Sequence, residues 1–140
     1  MNDYGLFSAI RKKLLKNATF RNLIQEIYTQ VPDDIQPPYV LIDFCDFKED
    51  RPFKPACILL QVKIKIVSQY QGLKQLHEII AALHQTLEHQ VLKIPATENQ
   101  HSGTAQFRVK HYKADVLPDG FSRIGEVVYE TRLSFKGSPL

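Results

Sequence analysis

Several ingredients of a catalytic or metal-binding protein are scarce in this chain of 140 residues and 16.1 kDa. It has two cysteines, Cys45 and Cys57. That is too few for a disulfide framework or a four-cysteine zinc site, and small apolar strand positions are the better reading of both. Gly72, Gly103, Gly120 and Gly125 are scattered, so no glycine-rich phosphate loop forms, and there is no Gly-x-Ser-x-Gly elbow. The longest apolar runs are five residues, at 56–60 and 79–83; a membrane-spanning helix needs about 20. Residues 1–5 lack the basic start and apolar stretch of a secretory signal, so the product is expected to stay in the compartment where it is made. Charge of one sign is also lacking. Eighteen Lys and Arg face fifteen Asp and Glu, for a net +3. A dedicated nucleic-acid binder carries a stronger bias or a clear basic stripe. No internal repeat or low-complexity stretch interrupts the chain.

What is present is ordinary globular material: 44% hydrophobic and 24% charged residues. The length suits one domain over residues 1–140, with 1–3 and 136–140 expected to be disordered. A chain of this size buries roughly two-thirds of its unfolded surface, enough for a core without disulfides or metals.

The periodicities then order the elements. Phe7, Ile10 and Leu14 recur at three and four, which predicts a helix over residues 3–16, with Asp3 as N-cap and Lys12, Lys13 and Lys16 on the solvated face. Asn17 fits a stop. A short helix restarts at Thr19 with Leu23, Ile24 and Ile27 as its apolar side, and the proline-rich stretch 31–38 is a rigid connector. Residues 39–47 and 57–67 alternate as strands, joined through the loop 48–55. Matching their apolar faces pairs Val40 with Val62, Ile42 with Leu60 and Phe44 with Ile58. That register sets Cys45 opposite Cys57, as neighbouring but reduced thiols. Leu73, Leu76, Ile80, Leu83 and Leu87 mark a helix over 72–90. A short extended piece at 91–95 and a polar, mobile loop at 96–103 follow. Residues 104–117 and 123–135 close the chain as a hairpin turned at Pro118-Asp119-Gly120, with Val127, Tyr129, Thr131, Leu133 and Phe135 on one face. Two hairpins and three helices make an α+β fold: a mostly antiparallel sheet with helices packed on one face.

The candidates for chemistry are few. His84 and Glu88 stand four apart on a helix and could share a metal, but His77 is about 10 Å back along the axis, and two ligands do not make a catalytic zinc site. A polar stripe beside the apolar one is the plainer reading. No catalytic, cofactor-binding or metal-binding residue is assigned, and no cofactor is expected. Candidate partner-contact residues are Glu49, Asp50, Arg51, Phe53 and Lys54, where an aromatic and an arginine share a proline-bounded loop.

Three passages resemble the phage tail-completion, or tail-terminator, family. One is Ile27-Tyr28-Thr29-Gln30-Val31-Pro32 followed by Pro37-Pro38-Tyr39-Val40. Another is the strand 59–67 leading to the helix 72–90. The last is Asp115-Val116-Leu117-Pro118-Asp119-Gly120 ahead of Arg123 and the strand 127–133. The resemblance spans about residues 6–135. It implies a structural, non-enzymatic virion protein, made in the bacterial cytoplasm and placed in the virion tail. Proteins of this family form a homo-hexameric ring that caps the head-proximal end of the tail tube and joins it to the head connector. The implied partners are other copies of the chain, the tail tube protein and the head connector protein. DNA would pass through the ring without specific binding, and no membrane is involved. The alternatives are a head–tail connector or tube subunit of related fold, and a bacterial α+β protein-interaction adaptor.

Overall fold

The computed structural model describes residues 3–24, 26–30, 37–49, 57–68, 73–88, 90–94, 102–116 and 122–135. In chain order the elements are α1 (Asp3–Lys16), α2 (Ala18–Leu23), β1 (Ile27–Tyr28), β2 (Tyr39–Glu49), β3 (Cys57–Ser68), α3 (Lys74–Leu87), β4 (Val91–Ile94), β5 (Gly103–Val116) and β6 (Arg123–Phe135). The strands form one six-stranded sheet in the order β1-β2-β3-β6-β5-β4. The α+β expectation holds, but a sheet of two hairpins does not describe it. Two further short strands join the sheet, and β1 runs parallel to β2, so the sheet is mixed.

The core lies between the helices and one sheet face. Leu6, Ile10 and Leu14 of α1 and Leu76, Ile79, Ile80, Leu83 and Leu87 of α3 are buried with Val40, Ile42, Leu60, Val62, Ile64, Ile66, Val127, Tyr129 and Leu133. These sheet residues share one parity across the registers, as a period of two requires. Leu73, expected on the apolar stripe of α3, precedes the helix and is 45% exposed.

Asn17 both stops α1 and starts α2. Its amide donates to the Leu14 carbonyl, and its side-chain oxygen accepts from the Phe20 amide at 3.1 Å. Its side-chain nitrogen donates to Thr86 Oγ1 at 2.8 Å, which ties the turn to α3. The short helix ends before Ile24, whose backbone is extended, and Ile27 lies in β1 opposite Val40. The three-four spacing of Leu23, Ile24 and Ile27 therefore marks burial rather than helix; β-branched Ile24 and Ile27 suit extended chain.

The register of β2 on β3 also departs from expectation. Val40 faces Ile66, Ile42 faces Ile64 and Phe44 faces Val62, and the ladder shifts between Phe44 and Asp46. The ladder sets Asp46 opposite Gln61 and ends with Glu49 opposite Ile58, so Cys45 and Cys57 are not opposed. Apolar alternation fixes which face is buried, but any even shift preserves that face. β2 runs on to Glu49, two residues past the expected strand end, and Cys45 sits at the bulge. The expected mobile loop at 96–103 lies outside the described residues up to residue 101, as do the turn at 118–120 and the tail at 136–140.

Candidate subunit interface

The helix-covered side of the sheet is closed by a polar contact that the sequence showed only in part. α3 runs along β6 in the same direction: Leu76 and Ile80 lie over Gly125, and His84 reaches Tyr129. Tyr129 Oη and His84 Nδ1 are 2.6 Å apart, and the rings of His84 and Phe107 both meet that of Tyr129 edge-on. Burial lowers the His84 pKa, against the opposing pull of Glu88, and burial pushes the Tyr129 phenol well above its ordinary range. Both shifts favour the uncharged forms, so an imidazole and a phenol share this hydrogen bond without a buried charge. Glu88, one turn further, accepts from the Val109 amide of β5 with both carboxylate oxygens, at 3.0 and 3.3 Å. His84 and Glu88 thus act apart, each pinning α3 to a different strand. Among the described residues, no group of three or more His, Cys, Asp or Glu side chains could hold a metal ion.

Past Val109 the character of the sheet changes. β4 covers the outer edge of β5 only at residues 103–106, and the Glu88 bridge covers Phe107. Among the described residues nothing pairs with the outer edge of β5 from Lys110 to Val116. Every residue from Arg108 to Val116 is exposed, including the apolar Val109, Tyr112 and Val116 at 37%, 39% and 52%. A bulge at Lys110 falls within this stretch, just past the last buried residue, Phe107.

The opposite edge is built the same way. β1 pairs with β2 only at Val40 and Leu41. Among the described residues the outer edge of β2 has no strand partner from residue 42 to residue 49. β1 lies at the end of the sheet where Val40, Ile66, Gly125 and Ala114 line up, and β4 lies at the other end, beside Leu133 and Ile58. The two open edges are therefore diagonal to one another.

Of the residues singled out from sequence, Glu49 ends β2 opposite Ile58. Asp50, Arg51, Phe53 and Lys54 lie outside the described residues. The exposed stretch 108–116 was read from sequence only as half of a hairpin. Its signal was the charge at Arg108, Lys110, Lys113 and Asp115, which leaves a long strand with no unbroken apolar face.

Residues 8–133 match the family described as Tail completion protein gp17. No curated protein sequence matches the chain. Among solved structures, a chain in the virion of a native gene transfer agent particle superposes with a TM-score of 0.72 at 16% identity, covering 92% of this chain and 94% of that one. Likeness at that identity speaks for the fold, and the family match, over nine-tenths of the length, speaks for the lineage. The chain belongs to the tail completion protein gp17 family and is a structural protein of the phage tail.

Proposed function

We propose that this protein closes the head-proximal end of a tail tube as a homo-hexameric ring and presents a surface to the head connector. The observation that carries the reading, within a tail-completion family, is a sheet that, among the described residues, is left open along two different edges on opposite sides. A ring needs heterologous contacts, in which one patch meets a different patch on the next copy; a protein with one self-complementary patch closes as a dimer. The role is architectural rather than enzymatic. The polar groups that converge in the interior, His84, Tyr129 and Glu88, are engaged in holding α3 to the sheet. A net charge of +3 suits a ring that lets DNA pass without gripping its phosphates.

The test is electron microscopy of particles assembled without this protein. Tubes that overrun their normal length, with heads unattached, are the expected outcome. Tails of normal length on infectious particles overturn the proposal. Normal tubes that cannot join heads would favour a connector role in place of tube capping.

A further inference from the structure

We infer that the ring closes edge to edge, with the open strand of β5, residues 110–116, adding to the open strand of β2, residues 42–49, on the next copy. This rests on the ring reading above, and it names the surface and the partner, a second copy of this chain.

Three observations carry it. The first is direction. β2, β3, β6 and β5 are successively antiparallel, so β5 runs opposite to β2. Setting a second sheet beside the first without turning it over brings β5 against β2 as an antiparallel pair. The second is fit along the strands. Both open stretches are about seven or eight residues, and each is bounded by a short strand, β4 on one and β1 on the other, that blocks pairing beyond it. Because the stretches lie diagonally, successive sheets join with a stagger along the strand direction.

The third is charge. The open stretch 110–116 carries Lys110, which also reaches Glu130 of β6 at 3.4 Å, and Lys113, with His111, against Asp115. Residues 42–49 carry Asp43, Asp46 and Glu49 against Lys48. Charges and bulges on edge strands ordinarily prevent promiscuous pairing, and both edges here have both devices, at Lys110 and at Cys45. Opposite signs on the two edges make that protection selective. The open β5 stretch is net positive and the open β2 stretch net negative, so like edges repel and the head-to-tail pairing attracts, which favours the ring over a two-fold dimer. Val109, Tyr112 and Val116 add apolar surface along the same strand.

The test uses the intact chain and two charge-reversed variants, Lys110→Glu with Lys113→Glu, and Asp43→Lys with Asp46→Lys. Sedimentation and native mass read assembly. Each variant alone is expected to assemble at least about tenfold more weakly, since like charges then meet at every junction. Mixed together they should form rings of alternating subunits, because each reversed edge finds its complement. Variants that form rings as well as the parent overturn the pairing and leave the ring reading standing. So does failure of the mixture to recover. A parent chain that stays monomeric at every concentration overturns the ring reading and the pairing with it. A second measurement needs no variant: amide exchange of residues 110–116 and 42–49 should slow by at least about tenfold on assembly. Unchanged exchange in either stretch overturns the pairing even where a variant fails to fold.

Discussion

β5 and β6 are neighbours, similar in length and paired along almost their whole extent, yet they live in different environments. β6 is flanked by β3 and β5, and α3 lies across it; Gly125, Val127, Val128, Tyr129, Thr131 and Leu133 are buried. β5 is buried only at Gly103, Ala105 and Phe107, where β4 covers its edge and the core reaches it. The difference is one of place in the sheet. A central strand buries its core face and satisfies both edges, whereas the outer half of β5, among the described residues, pairs along one edge and buries neither face. The same chain therefore holds a packed half that specifies the fold and an exposed half that the proposed ring would use.

The sharpest way to break this comparison is to truncate one aromatic in each half. Phe107→Ala, next to Tyr129 in the core, should cost about 3–5 kcal/mol of unfolding free energy through the cavity it leaves. Tyr112→Ala on the exposed half should change stability by less than about 1 kcal/mol. Urea denaturation of the two variants measures both, and equal losses would erase the distinction. A smaller effect comes from overfilling. A Cβ at Gly125 would stand 2.9 Å from Leu76 Cδ1 and 3.2 Å from Ile80 Cδ1. Gly125→Val should destabilise by about 1–3 kcal/mol, because the α3–β6 contact must open to admit it. Ala114→Val, directly across on β5 at an exposed position, should be near neutral in the same assay.

Asn17→Ala removes the α2 cap and the link to Thr86, and should cost about 1 kcal/mol, visible as a lower thermal midpoint with assembly untouched. The smallest effect is a pH dependence. His84 has its pKa lowered by burial, so the unfolded chain takes up a proton more readily than the folded one. Its contribution is complete above the unfolded value of 6.5 and is lost as pH falls through that value toward the folded one. The thermal midpoint should therefore drop below pH 6.5 in the parent, and this component should vanish in His84→Gln. At the alkaline end the sign reverses. The Tyr129 pKa is raised above 10.0, so its contribution is intact below pH 10 and fades as pH rises beyond it.

Much of this was legible in the residues. The stripes of α1 and α3 and the alternation of β3 and β6 gave their spans closely, because each buries one face and the period of that face is written in the sequence. The string Ile27-Tyr28 to Pro38-Tyr39-Val40 was recognised, but its geometry was not. It brings β1 alongside β2 in parallel, a non-local pairing that no local propensity encodes. His84 and Glu88 stood out by their spacing, yet their partners Tyr129 and Val109 are supplied by strands far along the chain.

The amino-acid order thus determined most of the helices and strands, though not β1, and which of their faces are apolar. Those properties depend on near neighbours and on the fixed periods of 3.6 and 2. Only the tertiary structure decided the register of β2 on β3, the sheet order, and which edges stay open. An even slip keeps every apolar residue inward, so alternation cannot choose among registers. The choice is made by the bulge at Cys45, by the short strands β1 and β4 that each cover part of an edge, and by the carboxylate of Glu88 on the Val109 amide.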